Sequence, residues 1–168
     1  MGITKILTYL VVLALTVMTL VFIGGYITGA FSGTKEAEAS SELSTIIANV
    51  QGLYASQPSF TGLTNTVAIQ GGVYPISMAT AASTEAIDPW GGQVITEVSS
   101  TNINEFTVEF DNVPQDSCTK LASSYNSSNL VSLGIGGNSV TAFDPATLSA
   151  ACQTATSSGP TTMLWTLN

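Results

Sequence analysis

The sequence contains no histidine and no arginine, and its only cationic side chains are Lys5, Lys35 and Lys120. Without imidazole the commonest general base near neutral pH is missing, and without guanidinium so is the usual bidentate clamp on phosphate or carboxylate. Charged residues make up only 8% of the chain, and eleven acids against three lysines leave a net charge of -8. That field repels polyanions, so no direct nucleic-acid binding is expected. Two cysteines without histidine supply too few soft ligands for zinc, and no spaced Asp/Asn/Gly calcium loop occurs. Neither a metal nor a cofactor is expected. Glu97, Glu105, Glu109 and Asp111 could in principle work as an acid-base pair, but nothing in the sequence marks one of them as buried. No catalytic residue is assigned, and the chain is not read as an enzyme.

Hydrophobic residues, by contrast, make up 45% of the 168 residues and are unevenly spread. Every residue from Ile6 to Phe31 is uncharged, in the run ILTYLVVLALTVMTLVFIGGYITGAF. A helix crosses a bilayer with ~20 apolar residues, so the run is long enough to span. Lys5 lies before it, whereas Lys35 beyond it is followed by Glu36, Glu38 and Glu42. The positive-inside rule then places the N-terminus in the cytoplasm and the rest outside. Three readings of the run stay open: a cleaved secretory signal with a small-residue site near Thr28-Gly29-Ala30, a simple anchor, and a tail packed against copies of itself. A signal's apolar core is roughly 7 to 15 residues, which counts against the first.

The remainder is rich in Ser, Thr, Asn and Gly, as suits an exported surface. Cys118 and Cys152 both fall in this outer portion, where an oxidising compartment would join them as one disulfide; a metal site is the weaker reading. From Lys35 to Tyr54, Leu43, Ile46, Ile47, Val50, Leu53 and Tyr54 recur at i, i+3, i+4 and i+7 with Glu36, Glu38 and Glu42 placed elsewhere, which predicts an amphipathic helix. Gly24-Gly25, Gly29 and Gly33 lie between the two halves and serve either close helix packing or local unwinding. Val67-Ala68-Ile69, ahead of Gly71-Gly72, reads as a strand end and turn. Glu105 to Phe110 alternates strictly and predicts a strand with Phe106, Val108 and Phe110 inward. Gln115 to Ser124 predicts a helix with Cys118, Leu121 and Ala122 on one side and Asp116 as N-cap. Strand signals follow in 129–137 and 139–143, then Asp144-Pro145 opens a helix toward Cys152, and Thr161 to Leu167 closes the sheet as its last strand. Trp90 and Trp165 are read as core.

Certain groups occur in a set order: Val73-Tyr74-Pro75-Ile76-Ser77-Met78, Asp88-Pro89-Trp90-Gly91-Gly92, the alternating strand, Val113-Pro114-Gln115-Asp116-Ser117-Cys118, and finally Cys152. Together with the uncharged N-terminal run, they resemble the type IV pilins, in particular the type IVb group that includes major pilins of conjugative thin pili. The resemblance implies an α+β fold in which a long N-terminal helix packs on an antiparallel sheet. The expected organisation is a helical spine over 1–54, with an apolar tail to 31 and an amphipathic half from 32, followed by a globular head over 55–168. It implies a structural subunit of an extracellular filament made of identical copies, held in the inner membrane before assembly. That filament would mediate contact with a surface or a recipient-cell receptor, through adhesion or mating-pair stabilisation in conjugation. Prepilin peptidase and the pilus assembly machinery are the implied partners, with Met1 the position for N-terminal processing and methylation. The filament-assembly residues are then Lys5, Leu10, Leu13, Val17, Leu20, Gly24, Gly25, Glu36 and Glu38, with melting of the helix expected at Gly24-Gly25. A minor pilin, a pseudopilin of a type II secretion system and a membrane-anchored binding module are the alternatives.

One residue departs from the family pattern. A glutamate is the family's fifth mature residue and answers a neighbour's amine, whereas Lys5 stands here. The expected partner of Lys5 is another subunit's Glu36, Glu38 or Glu42, or a lipid phosphate; the alternative is a lysine that snorkels out of the tail's end. A continuous helix at ~1.5 Å per residue would separate Lys5 and Glu36 of one chain by about 46 Å, so such a pair would be intermolecular.

Overall fold

The structure, a computed structural model, describes residues 33–140 and 142–168. The chain divides into two compact units, Met1–Thr34 and Lys35–Asn168, and the sheet with its helices makes up the second. Among the described residues no helix is long and apolar enough to cross a membrane, and the uncharged run to Phe31 lies outside them.

Helix α1 covers 33–53 and buries one stripe, Ala39, Leu43, Ile46, Ile47 and Val50, spaced three and four apart as a core-facing helix requires. Two departures from the pattern occur. Leu53 is 43% exposed rather than buried, while Glu36 and Glu42, assigned to the polar side by pattern, are buried. Both acids fall in phase with the stripe, Glu36 one turn before Ala39 and Glu42 beside Leu43, so packing of that face encloses them.

Six strands form one antiparallel sheet in the order β1-β2-β3-β6-β4-β5. They are β1 (Ala86–Ile87), β2 (Gln93–Val98), β3 (Phe106–Val113), β4 (Leu130–Ile135), β5 (Asn138–Val140) and β6 (Thr161–Leu167). The strict alternation in β3 and β6 puts Phe106, Val108 and Phe110 beside Leu167, Trp165 and Met163, all buried in one core with the α1 stripe. The last strand does not lie at an edge. β6 sits in the middle, between β3 and β4, where its buried Met163, Trp165 and Leu167 pair with inward residues of both neighbours. The β4–β5 hairpin turns at Gly136 and Gly137, with φ of 58° and 81°, a left-handed pair that favours glycine.

Three further helices complete the unit. Asn65–Gln70 is a helix, α2, and not a strand end: the Thr64 side chain accepts from the Val67 amide and caps the first turn, so local capping overrides the β-branched run. Helix α3 (Gln115–Ser124) buries Cys118, Leu121 and Ala122 on its inner side, but its N-cap is Pro114 and Asp116 lies inside the first turn, where the helix dipole favours an acid. Helix α4 (Pro145–Ala155) starts on Asp144, whose carboxylate accepts from the Ala146 and Thr147 amides at 3.1 and 3.0 Å. A disulfide joins Cys118 of α3 to Cys152 of α4. Trp165 is fully buried, whereas Trp90 is half-buried and packs on the core from its edge.

Candidate functional site

With so few charges, the buried ones show where the fold has been arranged for something other than packing. The first is Glu36. Its carboxylate takes Lys120 Nζ from α3 at 2.8 and 3.1 Å, and Ser117 Oγ donates to it at 3.1 Å. The bond to Glu36 raises the Lys120 ammonium above its ordinary value. One cation and one hydroxyl thus tie α1 to α3 beside the disulfide, and Glu36 has its partner within the chain.

The second site holds Glu42 and Asp88. Glu42 is 6% exposed and Asp88 4% exposed. Ser77 Oγ donates to Glu42 Oε1 at 2.6 Å, while Glu42 Oε2 has no hydrogen-bond partner. Asp88 closes the turn between β1 and β2: its Oδ1 accepts from the Trp90 and Gly92 amides at 2.8 and 2.9 Å, and its Oδ2 is likewise unpartnered. Gly92 is obligatory in that turn, because a Cβ there would stand 2.0 Å from the Asp111 carbonyl oxygen. Burial is the main cause that pushes both carboxyls above their ordinary range. For Glu42 the Ser77 bond opposes that rise, and repulsion from Glu38 and Asp88 adds to it.

A carboxyl raised in the folded state supports folding below its unfolded value, about pH 4.5 for Glu42, and withdraws that support as the pH climbs through the folded value. Glu42→Gln is therefore expected to raise the thermal midpoint of the unassembled, detergent-solubilised chain at pH 7. The gain should vanish below pH 4.5. Melting curves at both pH values check it, and a variant less stable than the parent at pH 7 would contradict the reading.

Two isoleucines are exposed next to this pair in sequence. Ile76, next to Ser77, is 87% exposed, and Ile87, next to Asp88, is 39% exposed. The Ile87 amide donates to the Met78 carbonyl at 3.1 Å, which draws the two segments together.

The acids singled out for acid-base work lie elsewhere. Glu97, Glu109 and Asp111 share the outer face of the sheet, and Thr162 Oγ1 donates to Asp111 at 2.6 Å. Burial, with repulsion from Asp111 and Glu97, raises Glu109. Glu105, just before β3, accepts from Asn102 Nδ2 at 2.7 Å. A polar cavity of about 500 Å³ opens between α3 and α4, lined by Gln115, Asp116, Thr119, Ser149, Cys152 and Gln153. Among the described residues no group of three or more His, Cys, Asp or Glu could hold a metal ion.

Of the predicted assembly residues, Met1, Lys5, Leu10, Leu13, Val17, Leu20, Gly24 and Gly25 lie outside the described residues. Glu36 is committed to Lys120, and Glu38 is exposed on α1 within electrostatic reach of Glu42. Sequence reasoning missed Asp88, Ser77 and Lys120 as site residues. Asp88 had a usable signal, an Asp-Pro-x-Gly-Gly turn whose acid caps backbone amides; no local pattern announces the other two.

A family model described as Bundlin matches residues 29–168. The fold is similar to the crystal structure of TcpA, a type IV pilin from Vibrio cholerae El Tor biotype, with a TM-score of 0.56 at 12% identity over 80% of this chain and 99% of that one. A search of curated proteins finds no match.

Proposed function

Because this chain belongs to the Bundlin family of type IV pilins, structural subunits of an extracellular pilus rather than enzymes, we propose that it is the major, repeating subunit of a type IVb filament. The observation that carries the reading is the join near residue 33. An uncharged run ends at Phe31, and the helix that follows at 33–53 buries its stripe in the head, so one spine would serve two solvents. The organisation follows as a spine over 1–54 and a head over 55–168. In the inner membrane the tail is solvated by lipid. In the filament it trades lipid for neighbouring tails, so its apolar surface and backbone bonds stay satisfied throughout.

Leu10, Leu13, Val17 and Leu20 would supply that packing, and Gly24-Gly25 would let the spine melt locally. Lys5, where the family has a glutamate, would be answered by an acid of another subunit or a lipid phosphate, since an unpaired ammonium among tails costs several kcal/mol. Prepilin peptidase, methylation of Met1 and a dedicated assembly machinery belong to this reading, as does a role in surface or recipient-cell contact. Exposed loops between Cys118 and Cys152 are the natural contact region.

Electron microscopy of sheared surface material, with intact mass of the fibres, tests the proposal. Thin filaments made mostly of this chain, methylated and two hydrogens short of the reduced mass, are the expected result. Filaments in which this chain is a trace component would reassign it to a minor pilin or pseudopilin. Protein that remains in the membrane fraction with no filaments would overturn the filament reading.

A further inference from the structure

We infer that residues 75–85 form a strap latched to α1 by the Glu42 carboxyl, and that the strap lifts as this carboxyl loses its proton, so that rising pH opens one edge of the head. The inference stands apart from the filament reading, since it concerns a single chain. From Pro75 to Glu85 there is neither helix nor strand, and the segment leads into β1, a two-residue strand that pairs with β2 alone at the end of the sheet. Among the described residues one side-chain hydrogen bond leaves it, from Ser77 Oγ to Glu42 Oε1 at 2.6 Å, while Thr80 and Ser83 bond to each other. One backbone bond joins it to β1, from the Ile87 amide to the Met78 carbonyl at 3.1 Å. Met78 and Ala79 supply its buried apolar contact. A segment with so few ties opens at lower cost than the β3–β6 ladder.

The latch is an acid closed off from water. Glu42 Oε1 takes the Ser77 hydroxyl and Oε2 has no partner, so the ionised form keeps one hydrogen bond where a carboxylate in water has several. Neither described lysine offsets its charge: Lys120 is held by Glu36, and Lys35 is exposed two turns earlier on α1. The other charged groups near it are acids. Glu38 on α1 and Asp88 in the β1–β2 turn both repel it, Glu85 is exposed at the end of the strap, and Asp111 of β3 acts on Asp88. The Tyr74 hydroxyl, just before the strap, is committed to Asn65. Asp88 stays with the sheet, because its carboxylate and backbone bonds close within 88–92. Burial first, and then that repulsion, outweigh the Ser77 bond and hold the Glu42 carboxyl above its ordinary range. Under the closed strap Glu42 therefore keeps its proton, and once lifted into water it releases it from about pH 4.5 upward. Between that value and the closed-state value, each pH unit multiplies the opening constant by up to about tenfold. The strap is shut in acid and loosens as the pH rises.

The test is hydrogen peroxide on the full, detergent-solubilised chain. Peroxide passes an oxygen atom to the Met78 thioether, giving sulfoxide and water, and reaches that buried sulfur when the strap lifts. Peptide mass spectrometry gives the rate, normalised at each pH to a free methionine peptide, and Met163, fully buried in β6, reports opening of the whole head. Met78 should oxidise at least roughly tenfold faster than Met163 throughout, and its rate should climb at least roughly fivefold between about pH 4.5 and pH 7. In Glu42→Gln the rate should stay within about twofold over the same range. Ser77→Ala cuts the tie and leaves the acid, so it should speed Met78 oxidation roughly fivefold in acid. If Met78 and Met163 oxidise together, the head opens only as a whole and the strap does not exist. A flat profile in the parent, or an equal climb in Glu42→Gln, removes the latch. Either result overturns the inference, as does a Ser77→Ala rate equal to the parent's.

Discussion

Trp165→Ala should destabilise the head by about 3–5 kcal/mol, the range for a large aromatic lost from a core that cannot collapse around it. The indole is fully buried in β6, opposite Val108 on one side and Leu133 on the other, and meets Phe110 edge-on at 5.6 Å. Because β6 holds the two halves of the sheet together, the void would open at its centre. Trp165→Phe separates volume from chemistry. The indole Nε1 is buried without a partner, so phenylalanine removes an unsatisfied donor while it keeps most of the ring, and it should cost less than half as much. Urea unfolding of the detergent-solubilised chain gives both numbers. A Trp165→Ala loss below about 1 kcal/mol would mean that the site relaxes and that β6 is not the mechanical centre.

Removal of the disulfide is the second large effect. Cys118 and Cys152 are buried at the contact of α3 and α4, and the bond closes a loop of sequence separation 34. In the chain-entropy model such a closure contributes about 4 kcal/mol, within the 2–5 kcal/mol seen when small exported domains lose a bridge. Cys118→Ala with Cys152→Ala should lower the melting temperature by many degrees and loosen α4, which is then held by buried Leu148 and partly buried Ala151 and Ala155. The Lys120–Glu36 pair beside it is too solvent-exposed on the lysine side to compensate. Melting with and without reductant checks the expectation, and equal midpoints for the oxidised parent and the double variant would refute it.

Where the code is local, the chain was legible. The β3 alternation Phe106, Val108, Phe110, the α1 stripe from Leu43 to Val50, the Asp144-Pro145 start of α4 and the extent of α3 need only neighbours three or four residues away. Val67-Ala68-Ile69 misled because β-branched residues favour strands weakly, and a single capping hydroxyl at Thr64 was enough to choose the helix. Asp116 looked like a cap because acids favour helix starts both at the cap and one residue inside it. The candidate site was less legible. Glu36 and Glu42 read as polar positions by residue type, and their burial depends on Lys120 and Ser77, which lie 84 and 35 residues away in sequence.

The sequence by itself determined an acidic chain with neither histidine nor arginine, a long uncharged N-terminal run, two cysteines and the strand and helix periods of an α+β fold. These are properties of composition and short-range repetition, which no partner can change. Tertiary structure alone decided that β6 belongs at the centre of the sheet, that Glu36 is answered inside the chain, and that Glu42 and Asp88 are buried with one oxygen each unanswered. Strand order and the partners of a buried charge are long-range choices, set by which large surfaces fit together, and a period along the chain carries no record of them.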